Sequence, residues 1–312
     1  MTGNNQNLHQ RAILVKLGLP QYTGTIEDKD VTREVLVKHS AAKGAGKFTK
    51  KLFPAEAHTT RQRDEGEELH AFDALVAHMN ATRAWSYENT LPWTRDGWLV
   101  LPIKNYKIYT DYIREAKHKY EALKQTLSRD YYELVDDSKR CLNGLAANAK
   151  YLSKDEALAR FDFTVEYAPI PSAGDFRVAL TAEEIAAIAQ TTESRVRETA
   201  DAAQGEAVKR LYEVLDEISK TLKATNPNKK DGMKTFKDTL IGNARKVCDV
   251  LTRLNITDDP DLERFRKEAE LLAQSEPETL RTLPALRAET ADRAQSILDD
   301  MTATFGKGLF KK

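Results

Sequence analysis

The string SAAKGAGKFTKK sets Lys43, Lys47, Lys50 and Lys51 around Gly44 and Gly46, and a glycine-rich turn carrying lysines is a backbone that can hold phosphate. Nucleotide hydrolysis needs a stricter spacing, GxxxxGK followed by Ser or Thr. Ala41 stands where the first glycine belongs, and Phe48 stands where the magnesium-binding hydroxyl belongs. The turn also follows a helical pattern rather than a strand, so a P-loop is disfavoured. What the residues allow is anion binding: four ammonium groups, with free amides near Gly44 and Gly46 at a helix start, suit a phosphate of nucleic acid or another anion. A solvated basic turn joining two helices is the competing reading.

Two Glu-x-x-His pairs, Glu67 with His70 and Glu115 with His118, have the spacing that builds carboxylate-bridged metal sites in helical bundles. Such ligands must point inward. At 100° per residue, Glu115 and His118 fall opposite the stripe of Tyr109, Ile113, Ala116 and Tyr120, and Glu67 and His70 fall away from Leu69, Phe72 and Val76. Solvated helix faces are therefore expected, and no metal. The histidines are scattered, and Cys141 and Cys248 lie in helical patterns without CxxC or Cys/His spacing. No catalytic residue and no cofactor is nominated, and both cysteines are expected to be reduced structural thiols.

The third constellation is aromatic. TLPWTRDGWLVLP concentrates Trp93 and Trp98 between Pro92 and Pro102, with an Asp-Gly turn pair, and is expected to be a loop or hairpin. The tryptophans either plug the ends of long helices or form a contact surface for a partner or for stacked bases.

The elements that must position these groups are mostly helical. RAILVKLGL reads as a buried strand ended by Pro20, and FDFTVEY alternates Phe161, Phe163, Val165 and Tyr167 against polar residues, so the two are expected to pair in a small sheet. TREVLVKHSAA reads as a helix from Thr32, and residues 61–85 as another. Tyr109, Ile113, Ala116, Tyr120, Leu123, Leu127, Tyr131 and Leu134 trace a helix over 105–148, about 60 Å long. Ser153 caps a short helix. Thr181 and Glu184 form a capping box that opens a second long helix carrying Ile185, Ile188, Val196, Ala203, Ala207, Leu211, Val214, Ile218 and Leu222. Its alanines permit close approach, and it is expected to lie antiparallel against the first long helix. Helices over 233–254, 259–274 and 284–305 follow.

The expected fold class is mainly α with a small β element (α+β). It divides into an N-terminal region over 1–180, a C-terminal helical region over 181–305 and a loose basic tail over 306–312. Hydrophobic residues at 41% and charged residues at 31% suit a folded chain in water rather than a disordered or membrane-spanning one. The polar start and the lack of a long apolar run point to a cytoplasmic protein with no membrane partner. Lysine and arginine number 48 against 48 acidic residues, so any nucleic-acid affinity must come from a local patch such as the 43–51 turn.

The KLG strand, the KGAGKFTKKLFP turn, the TLPW and GWLVLP loop and FTVEYAPIPSAGDFRV together resemble a family of uncharacterised helical proteins of tailed bacteriophages and bacteria. Relatives in that family are often encoded near a MoxR-type ATPase and a von Willebrand-type protein. The resemblance covers the first 180 residues and carries no catalytic residues. It implies an accessory role in a bacterial or host-cell cytoplasm. The expectation is a non-enzymatic interaction or assembly protein whose partner is itself or another protein, with nucleic-acid binding through the basic turn as the alternative.

Overall fold

Helix signals and short β signals alternate along the chain, and the computed structural model follows them over the residues it describes, 8–27, 32–33, 49–93, 96–143, 149–171, 181–224 and 237–310. In chain order the elements are α1 (Leu8–Arg11), β1 (Ala12–Gly18), β2 (Thr25–Glu27), β3 (Thr49–Lys51), α2 (Thr60–Asp64), α3 (Ala71–Glu88), β4 (Leu91–Pro92) and β5 (Leu99–Pro102). Then come α4 (Ile103–Leu142), α5 (Lys154–Leu158), β6 (Thr164–Ala168), α6 (Ala182–Ala224), α7 (Thr239–Leu254), α8 (Pro260–Leu272), α9 (Pro277–Thr282) and α10 (Pro284–Phe305). The fold is mainly helical with a small antiparallel sheet of order β4-β5-β1-β6. The expected neighbours β1 and β6 are adjacent in it. Strands β4 and β5, which flank Trp93 and Trp98, pair antiparallel, with Leu91 opposite Val100 and Pro92 opposite Leu99. The helix expected from Thr32 lies almost wholly outside the described residues.

The chain forms two compact units, and they do not follow a boundary at residue 180. One comprises Met1–Lys16, Ser86–Tyr109 and Glu166–Lys312, and the other Leu17–Trp85 and Thr110–Val165.

In the first unit, α6 packs on α7, α8, α10 and β4. Its buried face, Ala200, Ala203, Ala207, Leu211, Leu215 and Ile218, meets Ala291, Ala294 and Leu298 of α10 and Ile241, Ala244 and Leu251 of α7 in one core. The expected hairpin of α6 against the first long helix is thereby corrected. The alanine face of α6 is met by the equally small alanines of α10, and small residues on both helices let the backbones approach. The α7–α8 corner is tied by Asn255, whose Oδ1 accepts from the Asp259 amide at 2.8 Å while its Nδ2 donates to the Asp259 carbonyl at 2.9 Å. Asp259 then caps α8, accepting from the Asp261 and Leu262 amides, with Pro260 at the first helical position. Thr181 and Glu184 form the expected capping box of α6. The tail expected to be loose folds back as far as Phe310, which stacks on Tyr212 with centroids 4.0 Å apart.

In the second unit the core is aromatic. Phe53 stacks on Phe72 at 4.5 Å, with Phe161, Tyr131 and Tyr151 meeting these rings edge-on. The buried stripe of α4 within this unit holds the expected Ile113, Ala116, Tyr120, Leu127, Tyr131 and Leu134, whereas Leu123 of the same expected stripe is half-buried. Helix α3 packs on it through Trp85, stacked on Tyr112 at 3.6 Å, and through His78, whose Nε2 donates to the Ala116 carbonyl at 2.8 Å.

Candidate functional site

Two places concentrate chemistry, one in each unit. In the second unit, α2 lies against α4 through ion pairs around two buried carboxylates. Asp130 receives Arg61 at 2.9 Å and Arg129 at 2.7 Å. Asp137 receives the His58 amide at 2.9 Å, Arg140 at 2.7 Å and Arg63. Burial pushes both carboxyls up, but the arginine hydrogen bonds outweigh it and hold both below the usual carboxylate value. A carboxylate fixed in its ionised form makes a poor proton donor or acceptor near neutral pH. This cluster is a brace.

His70 lies beside that brace and corrects an expectation. Its ring is fully buried among Phe53, Phe72 and His58, whereas Leu69, expected on the apolar stripe, is 47% exposed. Helix α3 begins only at Ala71, so the 100° rule does not reach back to residues 67–70. Burial pushes the imidazole below its ordinary value, and the charge of Asp73 only partly opposes this. Glu115 and His118 are exposed, as expected.

The second place is a groove of about 550 Å³ in the first unit, between α6, α7 and the end of α3. Helix α6 supplies Glu206, Arg210, Glu213, Val214 and Glu217, and α7 supplies Asn243, Lys246, Val247, Val250, Leu251 and Leu254. Both sets recur at three- and four-residue spacing, so each is one helix face lying beside the face that enters the core. Half-buried Val214, Val247 and Val250 line it together with buried Leu251 and Leu254. Tyr87, 53% exposed, lines it from α3. A second hollow of about 380 Å³, lined by Leu91, Pro92 and Leu99 of the hairpin, shares Tyr87, Glu206 and Arg210 with the first. Arg210 is fixed at this junction, donating to the Glu88 carbonyl at 3.1 Å and to Glu206 at 3.4 Å. The arrangement can cover an apolar partner surface. Among the described residues no group of three or more His, Cys, Asp or Glu is placed to hold a metal.

The residues nominated from sequence lie elsewhere. Lys43, Gly44, Gly46 and Lys47 fall outside the described residues. Lys50 and Lys51 are not in a turn at a helix start; they belong to β3, opposite Ile26 and Thr25 of β2. Trp93 and Trp98 are half-buried against the core of their own unit, with Lys16 Nζ 5.9 Å from the Trp98 ring centroid. The groove residues were missed, although a signal was present. The apolar face of α7 runs through 240, 241, 244, 247, 248, 250, 251 and 254, wider than one neighbour can cover. Among the described residues no helix is long and apolar enough to cross a membrane. No family model, curated protein or solved structure matches the chain.

Proposed function

We propose that this chain is a non-enzymatic interaction or assembly protein that receives a protein partner in the α6–α7 groove. The carrying observation is the valine-lined trough, in which Val214, Val247 and Val250 keep part of their surface in water although each adjoins the core. Apolar groups held open in a concave site gain when a partner covers them, at roughly 25 cal/mol per Å². The resemblance to helical proteins of tailed bacteriophages and bacteria supports an accessory role in such a setting. The self-neutralised brace at Asp130 and Asp137 supports a scaffold rather than a reaction centre.

The test is a photo-cross-linking amino acid at Val250, with the same group at exposed Tyr132 as the control. Cross-links to a protein from the groove position alone, lost on adding Val247→Asp, are expected. Equal yields from both positions would remove the groove as the interface. Light scattering over a concentration series then tells a second copy from a different protein.

A further inference from the structure

We infer that the occupant of this groove is an amphipathic helix of another protein, with lysine or arginine along the flank of its apolar stripe that faces α6. This rests on the groove being a partner site and concerns what that site selects. Two helix walls with an apolar floor between them are a setting into which a third helix packs, at about 8–10 Å between axes. The rims decide its charge. Four carboxylates, Glu88, Glu206, Glu213 and Glu217, line the groove against two cations, Arg210 and Lys246.

The α6 rim is the more acidic, because Arg210 is taken up by Glu206 and the Glu88 carbonyl. Glu213 is 54% exposed and, among the described residues, is met only by Lys209, at the limit of 4.0 Å. Glu217 makes no ion pair among the described residues. These last two lie four residues apart, one turn, above Val214 on the same face. A helix bearing lysines beside its apolar stripe would set cations against Glu213 and Glu217, whereas an acidic helix would bring like charges to that rim, a cost of specificity and encounter rate. The α7 rim, with Asn243 and Lys246, favours a neutral or acidic second flank.

Fluorescence anisotropy with the whole chain tests this, using three labelled peptides of about 18 residues, or five turns: an amphipathic leucine/lysine helix, the same pattern in leucine/glutamate, and a scrambled leucine/lysine sequence. The leucine/lysine helix is expected to bind at least about tenfold tighter than either other peptide, and to weaken but persist at ~0.5 M salt. The double variant Glu213→Lys, Glu217→Lys is expected to weaken it about tenfold and to strengthen the leucine/glutamate helix. Val250→Asp should abolish the binding, with Tyr87→Ala as a milder variant should the first misfold. Equal binding of the two amphipathic helices, both lost in Val250→Asp, overturns the basic assignment and leaves the groove as an interface. Binding of the scrambled peptide as tightly as the helix overturns the helical occupant. No binding that depends on Val250 or Tyr87 overturns both readings. Self-association abolished by Val250→Asp makes the occupant a second copy and overturns the foreign helix.

Discussion

Gln204 of α6 donates from Nε2 to Oδ1 of Asn255, 3.1 Å away, and both side chains are buried. The same Asn255 oxygen accepts the Asp259 amide, so one side chain fixes the α7–α8 corner to α6 close to where Leu251 and Leu254 line the groove. Asn255→Ala would leave Gln204 and the Asp259 amide without that partner. A loss of about 1–3 kcal/mol is expected for the buried Gln204 amide, with a smaller addition for the half-buried Asp259 amide. Urea unfolding with an unchanged slope checks it, and a loss below ~0.5 kcal/mol would show that the corner stands without Asn255.

Gly24 and Gly66 separate backbone strain from steric clash. Both have positive φ, 60° and 68°, but a Cβ at Gly24 would lie 2.8 Å from Phe72 Cζ, whereas one at Gly66 would meet nothing within 4 Å. Gly66→Ala should cost about 1–2 kcal/mol for the left-handed conformation alone. Gly24→Ala should cost clearly more, because Phe72 belongs to the buried aromatic stack and cannot retreat. Equal losses of midpoint stability would contradict the packing described around Phe72.

Acid should weaken the second unit in two stages. The folded pKa of His70 lies below its ordinary 6.5, so the unfolded chain binds the extra proton and stability falls as pH drops below about 6.5. Asp130 and Asp137 lie below 3.8 when folded, so their contribution is complete above that value and is lost as pH falls through their folded pKa values. His70→Gln should remove the upper stage and keep the lower one. A melting temperature that is flat from pH 7 to pH 4.5 in the unaltered protein would refute the buried neutral imidazole.

Trp98→Ala distinguishes packing from partner contact. With Trp98 half-buried against the core, truncation should cost about 1–2 kcal/mol, less than the 3–5 typical of a fully buried tryptophan. It should leave capture of the leucine/lysine helix unchanged within about twofold. Unchanged stability with lost capture would return the interface to the hairpin.

The periodicity of α4 and α6 predicted which faces are buried, and Ile113, Tyr120, Tyr131, Ala203, Leu211 and Ile218 all lie in the core. It did not predict what covers them. An alanine-rich face suits any close neighbour, and the choice of α10 over α4 depends on residues some ninety positions away, at Ala291 and Ala294. The same periodicity counted Ile185 and Val214 as core, yet Ile185 is 37% exposed and Val214 lines the groove. Helical periodicity carried back past Ala71 puts His70 on a solvated face, but α3 begins only at Ala71 and the residues before it follow no 100° step. The candidate site was legible only as the excess width of the α7 apolar face. A cleft is a relation between two elements, and single-helix patterns report one element at a time.

Methyl-resolved NMR of the valine-labelled chain, titrated with the leucine/lysine helix, addresses the groove most directly. Shift changes are predicted to concentrate on the methyls of Val214, Val247 and Val250, with the indole signals of Trp93 and Trp98 unmoved, and to need about tenfold more peptide when Glu213 and Glu217 are replaced by lysine. Changes centred on the tryptophans or on valines of the second unit, such as Val76 and Val135, with the three groove valines silent, would contradict the assignment of the α6–α7 groove as the partner site.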